Sequence, residues 1–172
     1  MINYRAFIVG VKTTRLTQKE KKFLKKYKPW GVILFTRNIK NIKQTRELTT
    51  SIRKIFGNNK YPILIDQEGG RVNRLKSLIS FDNLTSEFFG KKFINNPKEF
   101  SSFYKLFIDK TSELLKLIGV NINTSPVLDL RVKGSSNIIG DRSFSNNPKI
   151  VSKIGDFCIN NYHQNGIATV IK

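Results

Sequence analysis

Five short apolar runs recur along the chain, at residues 6–9, 32–35, 63–65, 120–130 and 168–171, and segments with helical periodicity separate them. Runs of this kind are strands buried on both faces, and strands alternating with helices build parallel βαβ units. The fold class is therefore α/β with a parallel sheet. Five such strands form either an open doubly wound sheet or the first part of an eight-stranded barrel, and periodicity does not separate the two.

The intervening segments carry their own punctuation. Thr17 and Glu20 have capping-box spacing ahead of a helix that carries Phe23 and Leu24 and runs to about Tyr27. Asn41 is placed to cap a helix bearing Ile42, Leu48, Ile52 and Ile55, with Gly57 near its end. The stretch 78–97 is less regular and is expected to hold a loop and a short helix at about 86–92. Pro97 opens a long amphipathic helix with Phe100, Phe103, Phe107, Leu114 and Leu115 in register, and Gly119 closes it. A Gly- and Ser-rich loop at 133–137 follows the fourth strand, which is expected to run on to Leu130. Pro148 starts the last helix, through Val151, Ile154, Phe157 and Cys158, and Gly166 ends it. The chain then stops at Lys172, just past an apolar strand with no helix after it to cover it. That pattern reads as the amino-terminal part of a larger domain, and such a piece is expected to aggregate through its open edge.

Hydrophobic and charged fractions of 39% and 25% are ordinary for a globular chain, but the net charge of +19 is not. The lysines are scattered, whereas a nucleic-acid footprint is clustered, so no nucleic-acid partner is expected. The densest group, at 19–28, falls on a helix whose solvated face accounts for it. Cys158 is the only cysteine, which excludes an intramolecular disulfide, and its apolar setting reads as a buried inert thiol. No secretory signal and no membrane-length apolar run occur, so a cytoplasmic location without a membrane partner is expected. No Cys/His spacing suits a metal and no glycine-rich phosphate loop is present. His163 falls on the polar side of the last helix and reads as a surface residue.

Chemistry gathers at strand ends. The run Tyr61-Pro62-Ile63-Leu64-Ile65-Asp66-Gln67-Glu68-Gly69-Gly70-Arg71-Val72 passes abruptly from a buried strand to two carboxylates, two glycines and an arginine. Arg37 and Asn38 follow the second strand, Asp129 and Arg131 the fourth, Lys172 the fifth, and Asp141 and Arg142 lie in the loop beyond. In a parallel sheet these ends share one face. Such a set suits a polyhydroxylated or anionic small molecule, or else a group of loop salt bridges. Asp66 can accept from sugar hydroxyls, and Arg71 or Arg74 can supply forked donors. Asp66 and Glu68 fit a two-carboxylate glycosidase pair, or Glu68 anchors the turn through backbone N–H groups. Arg142 is either a clamp for a ligand or the partner of Asp141.

Four motifs in order, Gly31-Val32-Ile33-Leu34-Phe35-Thr36-Arg37-Asn38, Ile65-Asp66-Gln67-Glu68-Gly69-Gly70-Arg71-Val72-Asn73-Arg74, Ser125-Pro126-Val127-Leu128-Asp129-Leu130 and Ile139-Gly140-Asp141-Arg142-Ser143-Phe144, resemble the amino-terminal domain of glycoside hydrolase family 3. The similarity is to its bacterial β-N-acetylhexosaminidases of peptidoglycan recycling. The resemblance implies a TIM-type barrel, with residues 1–172 as the amino-terminal part of one catalytic barrel and about its first five strands. It implies release of terminal β-linked N-acetylglucosamine with retention, through a covalent glycosyl-enzyme. The implied partner is a saccharide containing N-acetylglucosamine, with no metal or organic cofactor. Asp66, Arg74, Arg142 and Lys172 match the family's substrate-binding positions. Its acid/base histidine and aspartate nucleophile have no match up to Lys172, so no residue here is assigned a catalytic role and the isolated chain is expected to be inactive. A non-catalytic sugar-binding remnant and a basic nucleic-acid binder are the alternatives.

Overall fold

The computed structural model describes residues 3–132, 134 and 136–172. Five strands form one parallel sheet: β1 (Arg5–Gly10), β2 (Pro29–Leu34), β3 (Ile63–Ile65), β4 (Ile122–Asn123) and β5 (Ala168–Thr169). Between them run α1 (Gln18–Tyr27), α2 (Ile42–Phe56), α3 (Ser86–Asn95), α4 (Pro97–Ile118) and α5 (Pro148–Gln164). The strands lie side by side in the order of the sequence. A doubly wound sheet reverses at a switch point. Here there is no reversal, so each strand extends the same wall, as in a barrel. The choice that periodicity left open is settled in favour of the barrel-type arrangement, with the sheet open at β1 and β5.

Local signals place the helices. The Thr17 hydroxyl accepts from the Glu20 amide at 3.2 Å, and the Glu20 carboxylate accepts from the Thr17 amide at 2.8 Å. The Asn41 side chain accepts from the Gln44 amide at 2.8 Å, and Gly57 ends α2 in the left-handed region. Asn96 caps α4 with Pro97 in its first turn. On α1 only Leu24 is fully buried, so the basic cluster there faces solvent, as its pattern requires.

The core lies between the helices and the sheet. Ile63, Leu64 and Ile65 are all buried, as a central parallel strand demands. Rings from α3 and α4 meet the loop that follows β3: Phe89 and Tyr104 are 4.3 Å apart and Phe81 and Phe107 5.0 Å. Cys158 is fully buried, and burial pushes its thiol up to about 12. The burial expected from its sequence pattern is thus present, and a buried thiol kept protonated is a poor nucleophile.

Several element boundaries differ from expectation, and β2 runs over Pro29–Leu34 rather than 32–35. The fourth strand stops at Asn123 rather than Leu130, because Pro126 has no N–H to give to a ladder. Leu128 instead donates to the Lys172 carbonyl at 2.6 Å, and Lys172 donates back to the Pro126 carbonyl at 3.3 Å. The fifth strand ends at Thr169 rather than Ile171. α3 runs to Asn95, beyond the expected Lys92, and stops where Pro97 follows. Lys133 and Ser135, in the loop expected at 133–137, lie outside the described residues. Among the described residues no helix is long and apolar enough to cross a membrane.

Candidate active site

The turn after β3 is held from several sides. Where the β3–β4 ladder ends, Gln67 and Asn123 take it over: the Gln67 amide donates to Asn123 Oδ1 at 3.0 Å and Asn123 Nδ2 donates to the Gln67 carbonyl at 2.9 Å. The Gln67 side-chain oxygen accepts from the amides of Arg74 and Leu75 at 2.9 and 3.2 Å. Gly69 sits at φ +93, and a Cβ there would lie 2.2 Å from the Leu84 carbonyl oxygen, so only glycine fits. The Glu68 and Val72 segments close on each other through bonds of 3.1 Å. Asp66 and Glu68 are thereby fixed two residues apart on a rigid bend.

Cations from distant parts of the chain converge on the two carboxylates. Lys172 Nζ lies 2.8 Å from Asp66 Oδ1 and 2.7 Å from Glu68 Oε1. Arg142 grips Glu68 as a fork, Nε to Oε2 at 2.8 Å and Nη2 to Oε1 at 2.9 Å. Arg74 Nη2 stands 3.9 Å from Asp66 Oδ2, and its guanidinium lies 5.7 Å from the Phe35 ring centroid. The Thr124 hydroxyl donates to Asp66 Oδ1. Burial alone would raise the Asp66 carboxyl, but hydrogen bonds from Lys172 and Thr124 and the charges of Lys172 and Arg74 outweigh it and hold it below the ordinary carboxylate value. The hydrogen bonds to Glu68 push Arg142 above its ordinary value against the cost of desolvation. Two carboxylates face three cations here, and among the described residues Asp66 Oδ2 has only the long contact to Arg74. The arrangement offers one underused anionic acceptor among fixed cationic donors, which suits a neutral molecule rich in hydroxyls.

The sequence matches the glycosyl hydrolase family 3 N terminal domain over residues 5–172. The chain belongs to glycosyl hydrolase family 3. The beta-hexosaminidase of Hydrogenovibrio crunogenus is 36% identical to it over 165 residues, which cover 96% of this chain and 45% of the relative. The beta-hexosaminidase of Thioalkalivibrio sulfidiphilus is 31% identical over 166 residues, with 96% and 47% covered. The chain spans about half the length of the curated relatives it matches. The crystal structure of native NagZ from Neisseria gonorrhoeae superposes with a TM-score of 0.88 at 26% identity, covering 99% of this chain and 49% of that one. NagZ from the same organism in complex with N-trifluoroacetyl-D-glucosamine matches equally well, with a TM-score of 0.88.

Within this family 3 chain, the four residues singled out from sequence meet at one place: Glu68 links Arg142 and Lys172, Lys172 also reaches Asp66, and Arg74 flanks Asp66. Several other expectations are corrected. Glu68 does not anchor the turn through backbone amides; its side chain is 3% exposed and bonded to Arg142 and Lys172. Arg142 is not the partner of Asp141. That carboxylate pairs with Arg71 at 2.9 Å, and Arg71 also donates to the carbonyls of Asn137, Ile138 and Ile139 at 2.8, 2.5 and 3.0 Å. Arg71 is thus occupied by the family 3 chain itself. Arg37 and Asn38 serve the β1–α1 loop, donating to the Val11 carbonyl at 3.1 Å each. Arg131 pairs with Glu87 at 2.7 Å. His163 is exposed, 3.1 Å from the Thr169 hydroxyl. Thr124 and Phe35 were not singled out from sequence. The misplaced end of the fourth strand hid Thr124, whose position directly after Asn123 becomes a strand-end position once Pro126 is allowed to stop the strand.

Proposed function

We propose that residues 1–172 form the amino-terminal part of a single family 3 barrel that hydrolyses terminal β-linked N-acetylglucosamine with retention, on cytoplasmic, peptidoglycan-derived sugars. In this reading Asp66, Arg74, Arg142 and Lys172 hold the non-reducing sugar. The convergence of Asp66, Arg142 and Lys172 at the carboxyl end of a parallel sheet carries the proposal. The NagZ complex with N-trifluoroacetyl-D-glucosamine supports the class of ligand.

Neither local carboxylate is suited to be the proton donor of the bond-breaking step. A retaining glycosidase needs a nucleophile and a proton donor whose pKa is raised. Asp66 is shifted the other way, which removes it as the proton donor, and Glu68 is saturated by a fork and an ammonium. In this reading Asp66 and Glu68 serve binding and not bond breaking, and residues 1–172 alone bind the sugar without turning it over. Two measurements on the purified chain test this. Amide resonances near Asp66 should shift saturably with millimolar N-acetylglucosamine, and a chromogenic N-acetylglucosaminide should release no chromophore above background. Absence of saturable shifts defeats the binding assignment, and enzyme-like release defeats the division of labour.

A further inference from the structure

Two residues of the Asp66–Arg71 segment are directed at protein rather than toward a ligand. Glu68 is almost fully buried, and both its oxygens are committed: Oε2 to Arg142, Oε1 to Arg142 and Lys172. Arg71, three residues on, closes over the outside of the same loop, gathering three consecutive carbonyls and Asp141. The 137–142 loop is otherwise short of regular structure, with a single 3₁₀ turn at Gly140–Arg142. A long guanidinium on such a loop loses considerable rotamer freedom when it is fixed, and a forked carboxylate with matching geometry fixes it.

We infer that Glu68 and Arg71 form a positioning clamp that holds Arg142 and Lys172 ready for the sugar, and that Glu68 itself never touches the ligand. This division rests on the sugar-binding reading above. Asp66 keeps an oxygen open for the ligand, whereas Glu68 has none to spare. The clamp also explains how residues 74 positions apart in sequence act as one surface. It makes the sugar-binding cations a preorganised feature of the unliganded chain, so binding is not charged with the cost of ordering them.

The ligand-free chain supplies a direct readout. The Arg142 Nε–H resonance in ¹H–¹⁵N spectra at low ionic strength should exchange slowly with water. Glu68→Gln should speed that exchange about tenfold or more and weaken N-acetylglucosamine binding about tenfold, while amide dispersion is retained. Asp66→Asn should weaken binding yet leave Arg142 exchange within about twofold of wild type, since it removes no bond to Arg142. Arg71→Met, at a half-exposed side chain, probes the outer half of the clamp and replaces Glu68→Gln if that variant fails to fold; it too should speed Arg142 exchange. Unchanged Arg142 exchange in both clamp variants overturns the inference. So does faster exchange with unchanged affinity, because the clamp would then do nothing for binding. If wild type shows no saturable sugar shifts, the functional reading falls, and the exchange rates still decide whether Glu68 and Arg71 hold the guanidinium.

Discussion

At the scale of single residues, Asp66 and Glu68 show how two neighbouring acids take different parts through their partners. Asp66 has an open oxygen and a depressed carboxyl. A group whose folded pKa lies below its unfolded value contributes stability above that unfolded value and loses it as pH falls through the folded one. Sugar affinity should therefore be flat from about pH 5 to 8 as far as Asp66 is concerned, and fall only below the ordinary carboxylate value. Asp66→Asn should lower affinity about tenfold at neutral pH, the usual scale for losing a hydrogen bond to a charged group. Titrations of both proteins against N-acetylglucosamine across that range check the claim; a step near neutrality in wild type, absent from the variant, would contradict it. The identities of the site residues were legible because the Asp66–Arg74 run is so abrupt a change from apolar to charged. Their partners were not. Asp141 is the chain neighbour of Arg142, yet the two side chains leave a 3₁₀ turn in different directions, and Arg142 reaches across 74 positions to Glu68.

Among the elements, α3 sets the height of the loop that carries Arg142. Gly90 on α3 is packed so closely that a Cβ there would sit 1.7 Å from the Phe144 carbonyl oxygen. That contact is to backbone and cannot be relieved by a rotamer change. Gly90→Ala should cost about 1–3 kcal/mol, the usual range for overpacking, and should push the 140–144 segment outward. A lowered urea midpoint together with weakened N-acetylglucosamine binding is the expected pair of results. Full stability in the alanine variant would show that the helix can move away. The elements themselves were readable from sequence where the signal is local: the Thr17–Glu20 box, the Asn41 cap and the Pro97–Gly119 limits each depend on a few adjacent residues. The end of β4 was not, because Val127 and Leu128 are buried or half-buried in an irregular segment and carry the same apolar signal as a strand. Burial put those residues there, with pairing limited to the two bonds that Leu128 and Pro126 share with Lys172.

The whole molecule balances two opposed surface properties. Among the described residues β1 and β5 are unpaired on their outer sides, and Ile8 on β1 and Ile171 just past β5 are 43% and 55% exposed. Open edges with apolar side chains favour pairing with another polypeptide. Against this stands a net charge of +19, which drives copies of the chain apart. The two forces differ in range. Charge repulsion between exposed groups is screened beyond about 10 Å at 0.1 M salt, whereas edge pairing and apolar contact act at van der Waals distance and survive screening. The chain should therefore stay monomeric at low ionic strength and associate as salt rises, the reverse of a nucleic-acid-like electrostatic complex, which salt dissolves. Sedimentation velocity across a salt series measures this directly. Ile8→Lys and Ile171→Lys place a charge on each open edge and should move the onset of association to higher salt, with the double substitution moving it furthest. Association that is strongest at low salt and disperses as salt is added would mean that opposite charges, not the sheet edges, bring the copies together.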